Sequence, residues 1–440
     1  MKTPVPPPDR DELLAKSDTS KKLNAILAVS PLVKGRYIHW DKLRHLDPPA
    51  GLTTYEWWLG VKFARAQLVK PIGLLDRLGR PFVYGTPDPI LRLLHEIDQL
   101  AGGDVRMHDE ARSPGTRDRY ILNSLIEESI TSSQLEGAST TTEVAKNMLR
   151  SGRKATDRSE QMILNNFMAM KFVRSHIEEV LTPELVFELH RIVTEDTLDD
   201  PSKAGRFRED GDEIVIEDEV GKLLHLPPPA GELPERLEAM CHFANEQPAD
   251  AFLHPVVRAV LLHFWVGYDH PFVDGNGRTA RALFYWAMQA QGYWLAEYLS
   301  ISRILRDAPG QYARSFLFTE TDGNDLTYFL EYHLGVLRRA IDELQDYLTR
   351  KRRELQDVER LLRDSVELNH RQVALLGHAM RHPDARYTIE SHRRSHNVVY
   401  QTARTDLLDL ADKGLIRMWR RGRGYHFAAI ADLRARLQNL

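Results

Sequence analysis

Along most of the chain, apolar residues recur three and four positions apart, which is the spacing of amphipathic helices. The clearest runs cover residues 118–134, 159–180 and 255–269. Thr53 and Glu56 have the spacing of a capping box at the start of another apolar run. First-turn prolines and closing glycines mark further helix ends. The pattern predicts a mainly α-helical fold.

One segment follows a different pattern. Residues 213–217, which include Val215 and Ile216, form a β-prone run, and a second short apolar run follows at 222–226. The four residues between the two runs end in a glycine. Two short strands joined by such a turn predict a β-hairpin.

Residues 1–110 are predicted to form an N-terminal helical region. Its aromatic and basic residues are compatible with a platform for stacked bases, but we expect Trp40, Trp57 and Trp58 to pack in a core. His190 lies on the apolar side of a predicted helix, so we expect it to be packed rather than catalytic.

A long, strongly charged helix is predicted to begin at residues 325–327, and its residues 331–366 would link two domains. It carries a heptad-like series of apolar residues that consists of Leu330, Leu334, Leu337, Ile341, Leu344, Leu348, Leu355, Val358 and Leu362. Such a series either packs back on the core or pairs with a second copy of the chain. We favour self-association, which would make the protein a homodimer.

Residues 367–440 resemble a winged helix-turn-helix domain. Helical runs at 371–380, 388–396 and 398–413 precede two strand-like runs with an arginine-rich tip. In such domains the third helix enters the major groove of DNA and the wing tip contacts phosphate. The candidate DNA-binding residues are Gln401, Thr402, Arg404, Arg420 and Arg421. Winged helices also dock proteins, so both interpretations stay open.

Charge and cysteine content narrow the class of protein. A net charge of -4 excludes a globally basic nucleic-acid binder, although Arg393, Arg394 and Arg423 concentrate positive charge locally. Cys241 is the only cysteine, so the chain forms no internal disulfide, which suits a reducing cytosol. The sequence shows neither a signal peptide nor a membrane-spanning run. We therefore expect a cytoplasmic protein that does not enter membranes.

The densest chemistry lies in residues 270–281, HPFVDGNGRTAR, between two predicted helices. Gly275 and Gly277 allow consecutive backbone N–H groups to face one point at the positively polarised N-terminus of the second helix. Arg278 and Arg281 are three residues apart, so they share a helix face and can reach the same anion. This arrangement predicts a phosphate site.

Two further side chains refine that prediction. Asp274 would repel a bare phosphate unless a cation bridged them, and Mg²⁺ is typically held by few carboxylates together with substrate phosphates. His270 lies beside the turn and is a base suited to neutral pH. Together these features predict a polyphosphate nucleotide bound with magnesium.

These residues match the signature of Fic domains, His-Pro-Phe-x-(Asp/Glu)-Gly-Asn-Gly-Arg-x-x-Arg, at every specified position. The chain thus resembles Fic protein adenylyltransferases. The resemblance implies a helical catalytic domain, here residues 111–330, that transfers AMP from Mg-ATP to a Ser, Thr or Tyr hydroxyl of a target protein. The implied roles are His270 as catalytic base, Asp274 as magnesium ligand, Gly275, Asn276 and Gly277 as anion hole, and Arg278 and Arg281 as phosphate-binding residues, Arg278 also being catalytic.

A second, shorter motif lies at the end of the helix predicted for residues 118–134. Ser132 and Glu136 are four residues apart and Gly137 follows them. They resemble the inhibitory motif (Ser/Thr)-x-x-x-Glu-(Gly/Asn) that accompanies many Fic domains. The resemblance implies that Glu136 pairs with Arg281 in the place of the γ-phosphate, since a carboxylate and a phosphate compete for one guanidinium.

The predicted hairpin also has a counterpart in Fic proteins, where a flap before the signature holds the target by main-chain pairing. Val215 and Ile216 match that flap by position. Other functions stay open: a hydrolase that removes AMP with Glu136 positioning water, a nucleotide-sensing transcriptional regulator that binds DNA, or an enzyme that uses another phosphate-bearing donor.

Overall fold

The computed structural model describes residues 3–15, 22–101, 114–212, 214–217, 221–246, 252–364, 368–381, 385–421 and 424–438. The chain divides into two compact units, residues 1–342 and 343–440. Helices dominate both, which confirms the mainly α fold class. Within the described parts of the chain, no helix is both long and apolar enough to cross a bilayer.

The N-terminal region contains more than the predicted helices. Its helices are α1 (Arg10–Leu14), α2 (Leu23–Leu27), α3 (Trp40–Leu43), α4 (Thr54–Ala66) and α5 (Asp88–Ala101). Strands β1 (Val69–Leu75) and β2 (Pro81–Gly85) form an antiparallel sheet that the sequence reading missed. A two-stranded sheet therefore accompanies the helices of this region. The strands are difficult to recognise in the sequence because they contain Pro71 and Pro81, and proline normally argues against a paired strand.

Two N-terminal predictions are confirmed. The capping box is present: the Glu56 carboxylate accepts from the Thr53 N–H at 2.6 Å, and Thr53 Oγ1 accepts from the Glu56 N–H at 3.2 Å. Trp40, Trp57 and Trp58 are buried in one apolar cluster. The tryptophans therefore pack in a core.

The rest of the first unit is a helical core. Its helices are α6 (Pro114–Leu135), α7 (Thr142–Ser151), α8 (Arg158–Ser175), α9 (Pro183–Thr194), α10 (Leu233–Asn245), α11 (Pro255–Asp269), α12 (Asn276–Ala290), α13 (Ile301–Asp307), α14 (Pro309–Thr321) and the start of α15 (Thr327–Asp364). Helices α11 and α12 pack against each other and are buried along nearly their whole length. Helix α8 ends five residues before the predicted end.

The predicted hairpin is present but shorter than expected. Strand β3 (Ile216–Glu217) pairs antiparallel with β4 (Leu223–His225), with Ile216 opposite His225. Val215 precedes β3 and is exposed. The predicted strand start, residue 213, and residues 218–220 of the turn lie outside the described residues.

The apolar series on α15 was predicted either to pack on the core or to pair with a second copy of the chain. The structure shows which of these holds for its first four residues. Leu330, Leu334, Leu337 and Ile341 are at most 1% exposed and belong to the core of the first unit. Our preference for self-association was wrong for this half, because these side chains are already buried within one chain. Leu344 and Leu348 are half-buried. The side chains of Leu355, Val358 and Leu362 lie outside the described set.

The second unit is a small three-stranded sheet with helices. Its elements after α15 are α16 (His370–Arg381), β5 (Arg386–Thr388), α17 (Ile389–His396), α18 (Tyr400–Asp412), β6 (Ile416–Arg421), β7 (Gly424–Ala429) and α19 (Leu433–Gln438). The strands are antiparallel in the order β5-β7-β6. Three helices and the terminal hairpin were predicted, whereas β5 and α19 were not.

The proposed DNA-contacting side chains of this unit differ in exposure. Gln401 and Arg420 are exposed, while Thr402 and Arg404 are half-buried. The Arg421 side chain and Arg423 lie outside the described residues.

Two of the arginines expected to supply positive charge are already paired. Arg393 and Arg394 contact the Glu390 carboxylate at 2.7 Å and 2.9 Å. The expected local concentration of charge is therefore smaller than the sequence suggested.

Candidate active site

The segment between α11 and α12 owes its shape to two residues with positive φ. His270 caps the end of α11 with φ 45°, and Gly275 begins α12 with φ 81°. A Cβ atom at Gly275 would lie 2.8 Å from Cγ2 of Thr194 on α9. Glycine is therefore required at 275 by both conformation and space.

Asn276 and Phe272 hold the turn closed. Asn276 Nδ2 donates to the Phe272 carbonyl at 2.8 Å, and its Oδ1 accepts from the Phe272 N–H at 3.0 Å. Phe272 is fully buried. Because the amide of Asn276 is used in this way, the residue can contribute to an anion hole through its backbone N–H only.

His190 supports the same turn from α9. It is fully buried and stacks on Phe272 with ring centroids 3.7 Å apart. Its Nε2 donates to the Asp274 carbonyl at 2.8 Å, and its Nδ1 accepts from the Gly205 N–H at 2.9 Å. Burial lowers the pKa of His190 to about 4, so the ring is neutral. The packed state expected for His190 is confirmed, and its support of the turn is an addition.

His270 presents a free base at neutral pH. Burial lowers the pKa of its imidazole to about 4, and the nearby charge of Arg208 acts in the same direction. The Gly267 carbonyl accepts from Nδ1 at 3.3 Å, which assigns the proton to Nδ1. The lone pair is then on Nε2. This is the protonation state that a general base needs.

Arg208, which the sequence reading did not single out, holds the backbone at His270. Its Nε donates to the His270 carbonyl at 2.8 Å and its Nη2 to the Pro228 carbonyl at 2.5 Å. Its backbone N–H donates to the Pro271 carbonyl at 2.9 Å. A non-glycine residue with positive φ needs such external support.

The flap is joined to the same region through His225 on β4. His225 contacts the Tyr268 carbonyl through Nε2 and the Glu320 carboxylate through Nδ1, both at 2.7 Å. Tyr268 precedes His270 by two residues. The strand pair is therefore fixed beside the end of α11.

Asp274 is placed where a cation could reach it. Its carboxylate is 46% exposed, accepts from the Gly275 N–H at 2.6 Å, and lies 3.7 Å from Arg278 Nη2. Nη2 of Arg158 on α8 lies 4.0 Å from the same carboxylate oxygen, Oδ2. A single accessible carboxylate beside cationic groups fits a magnesium ion shared with phosphates.

Arg278 carries donors that make no hydrogen bond within the described part of the chain. The side chain is fully buried and its Nη1 donates to the Val193 carbonyl at 2.9 Å. Among the described residues, its Nε and Nη2 have no hydrogen-bond partner, and Nη2 only forms the 3.7 Å ion pair with Asp274. The N-terminus of α12 beside it also lacks a side-chain cap. Buried donors without partners are costly, so this geometry fits an anion.

The guanidinium of Arg281 is hydrogen-bonded to residues at and just after the end of α6. Its Nε donates to Ser132 Oγ at 2.8 Å, and its Nη2 donates to the Ser132 carbonyl at 3.0 Å and to Glu136 Oε1 at 2.9 Å. The contact between Glu136 and Arg281 expected from the sequence is thus present. Nη1 of Arg281 has no hydrogen-bond partner.

The Glu136 carboxylate lies directly over the anion-binding turn. A Cβ atom at Gly277 would approach Glu136 Cδ to 2.9 Å. Burial alone would raise the pKa of Glu136, but the charges of Arg281 and Arg278 outweigh it and lower the pKa below its usual value. Glu136 is therefore ionised at neutral pH and neutralises part of the cationic site.

Comparison with known proteins agrees with this geometry, since residues 180–288 match the profile of the Fic/DOC family. Residues 180–288 are a Fic/DOC domain. The match includes the flap and the whole signature, whereas Ser132 and Glu136 lie upstream of it.

The relatives are distant and longer. Protein adenylyltransferase Fic of Drosophila mojavensis is 34% identical over 133 residues, which is 30% of this chain and 24% of that protein. The Drosophila grimshawi protein of the same name is 35% identical over 133 residues, covering 30% and 25%. The chain spans about a quarter of the length of these curated relatives. The Fic domain is thus distantly similar to protein adenylyltransferases.

The fold extends beyond the matched segment. A crystal structure of a Fic family protein from Desulfovibrio desulfuricans G20 superposes with a TM-score of 0.54 at 18% identity. The superposition covers 78% of this chain and 97% of the other. This similarity shows the Fic-type helical fold that the sequence predicted.

Proposed function

We propose that the protein is an adenylyltransferase that moves AMP from Mg-ATP to a Ser, Thr or Tyr hydroxyl of a target protein, and that Glu136 restrains it. One observation carries this proposal. A neutral His270 lies next to an uncapped helix N-terminus and to the unpartnered donors of Arg278. A base and an anion-binding site thereby occupy the same turn.

In the proposed reaction, Nε2 of His270 accepts the proton of the target hydroxyl. The hydroxyl oxygen forms a bond to the α-phosphorus of ATP, and the bond from that phosphorus to the pyrophosphate oxygen breaks. Arg278 and the N–H groups of α12 stabilise the negative charge that develops. Magnesium at Asp274 would supply charge neutralisation of the phosphates.

The flap is proposed to hold the target segment. Val215 and Leu223 are exposed on it, and strands this short leave backbone groups for pairing with an added strand. Main-chain pairing would place a target hydroxyl near His270 with few demands on target sequence.

The direct test is to supply ATP labelled in either the α- or the γ-phosphate to the purified Glu136→Gly chain and a cell lysate. AMP transfer predicts protein-bound label from the α-phosphate only. Label transferred from the γ-phosphate would indicate a kinase, and no protein-bound label from either form would remove the proposal.

A second candidate is removal of AMP from a modified protein, which the position of Glu136 favours. Its carboxylate lies against the anion-binding turn and interacts electrostatically with His270, where it could orient a water molecule. Incubating the unsubstituted chain with an AMP-labelled target distinguishes the two candidates. Release of AMP that is lost in Glu136→Gly would establish the hydrolase.

The loop support from Arg208 leads to a first prediction. Arg208→Ala should lower kcat for AMP transfer by about tenfold to a hundredfold, because His270 would lose its orientation. The KM for ATP should change little, since the hydrogen bonds of Arg208 to described residues go to the backbone of residues 228 and 269–271. Steady-state kinetics in a Glu136→Gly background would measure both constants.

The matched control for this variant is Arg206→Ala. Arg206 lies two residues away and donates to Ser202 Oγ at the surface. An equal fall in kcat for the two variants would contradict a positioning role for Arg208.

The depressed pKa of His270 leads to a second prediction, on pH dependence. The basic form is lost only as pH falls through the pKa, so kcat/KM, which reports the free enzyme, should persist at pH 5.5, where an ordinary histidine is about nine-tenths protonated. The expected midpoint is near pH 4. A midpoint near pH 6.5 would contradict a desolvated base.

Folding must be followed in the same pH series. The pKa values of His190 and His270 are both about 4 in the folded chain, below the ordinary value of 6.5. The unfolded chain therefore binds more protons between these values, and stability falls as pH drops through that window. Circular dichroism at each pH separates unfolding from titration of the base.

A further inference from the structure

Polar side chains recur at every fourth position along α6 and at the residue directly after it. They are Ser124, Glu128, Ser132 and Glu136. Residues four apart lie above one another on a helix, so the four form one stripe. Ser132 and Glu136 contact Arg281, while Ser124 Oγ donates to the Tyr298 carbonyl at 3.0 Å.

Glu128, in the middle of the stripe, is a buried carboxylate that the proposed reaction does not use. It is 1% exposed. It accepts from Ser300 Oγ at 2.9 Å, from the Ser302 N–H at 3.2 Å and from Ser302 Oγ. Both serines lie at the start of α13, and Tyr285 of α12 also interacts with this carboxylate. Burial raises the pKa of Glu128, although the nearby charge of Arg281 acts in the opposite direction.

The opposite side of α6 is mainly apolar. Ile126 and Ile130 lie in one apolar cluster with α7 and α8. Ser133 Oγ adds a polar contact on this side by donating to the Met162 carbonyl at 3.1 Å. Hydrogen bonds are directional, so the three bonds to the Glu128 carboxylate hold the axial position of α6 together with this bond to α8.

We propose that Glu128 is a positioning residue for autoinhibition: its bonds to Ser300 and Ser302 hold α6 at the register in which Ser132 and Glu136 reach Arg281. Ser132 lies one turn further along α6, about 6 Å by helix rise, and Glu136 follows in the turn directly after the helix, so a rigid α6 transmits the position of Glu128 to both. This inference rests on the proposed function, because it concerns the restraint of the same site.

The test compares AMP transfer by four variants of the full chain. Three are the single substitutions Glu128→Ala, Ser302→Ala and Glu136→Gly. The fourth is the double variant that combines Glu128→Ala with Glu136→Gly. Glu128→Ala should raise transfer about tenfold, the scale of hydrogen bonds to one charged group, and should not exceed Glu136→Gly. Ser302→Ala removes one of the three bonds and should give a smaller rise. The affinity for ATP, measured by calorimetry, should increase from Ser302→Ala to Glu128→Ala, and Glu136→Gly should bind ATP at least as tightly as Glu128→Ala.

The double variant separates positioning from general support. If Glu128 acts only through Glu136, the double variant should match Glu136→Gly. A double variant well below Glu136→Gly would show that Glu128 supports the catalytic core instead, which overturns the inference. If Glu128→Ala does not fold, the same comparison is made with Ser302→Ala, alone and combined with Glu136→Gly.

Glu127→Ala is the matched control, because Glu127 lies on the same turn but pairs with Arg303 at 3.0 Å near the surface. It should leave transfer unchanged. If Glu128→Ala and Ser302→Ala leave transfer unchanged while Glu136→Gly raises it, the inference about Glu128 is overturned and the proposed restraint by Glu136 stands. No activation by Glu136→Gly would instead remove the proposed restraint, and the inference with it.

Discussion

Replacing His270 with alanine is expected to lower AMP transfer by about 10²- to 10⁴-fold, the contribution of a positioned general base. The expectation depends on the neutral ring, which burial maintains by lowering its pKa to about 4. ATP binding should persist, because the unpartnered donors lie on Arg278 and Arg281. Transfer is best measured in a Glu136→Gly background, where the signal is largest.

His242→Ala serves as the control for this substitution. His242 lies on α10 with 68% of its side chain exposed, and its ion-pair partner among the described residues is Glu246 at 3.1 Å. It should retain full transfer. If His270→Ala kept more than about a tenth of the activity while binding ATP normally, the base would have to be another group.

Glu136→Gly is expected to raise AMP transfer, including self-modification, by about tenfold to a hundredfold. In the unsubstituted chain, the hydrogen bond between Glu136 and Arg281 competes with phosphate. A hydrogen bond to a charged group contributes about 1.5–3 kcal/mol, which corresponds to this range of rates. Glu136 is held ionised by Arg281 and Arg278, which lower its pKa despite burial. Its removal would leave the Arg281 guanidinium for the nucleotide.

Two variants sharpen the comparison. Glu136→Gln keeps the size but not the charge, so it should give an intermediate rise. Glu143→Gly removes an exposed carboxylate in the first turn of α7 and should leave transfer at the starting level. Intact-mass measurement of the AMP adduct would record all three variants. A fall in transfer on removing Glu136 would exclude restraint and favour a catalytic carboxylate, as the hydrolase requires.

The local features of this protein could be predicted from short stretches of sequence. The helix periods, the capping box at Thr53 and the strands around Ile216 depend on neighbouring residues only. The turn at 270–281 is equally local, because its glycines and the following helix are adjacent in the chain. Even the partner of Glu136 could be named, although only through resemblance to Fic proteins.

The supports of the site could not be predicted in this way. Arg208 holds His270 from 62 positions away, and Glu128 meets Ser302 across 174 positions. Nothing in the local pattern distinguishes these side chains from a solvated arginine or glutamate. Packing alone brings them to their partners.

For this chain, sequence by itself determined the helical class, the reactive turn and the chemistry that the turn can perform. Tertiary structure decided which groups are charged, which donors are left unpartnered, and that the first half of the α15 series is buried in its own core. The physical reason is that backbone conformation follows from near neighbours. Desolvation and ion pairing depend on groups that folding brings together from distant parts of the chain.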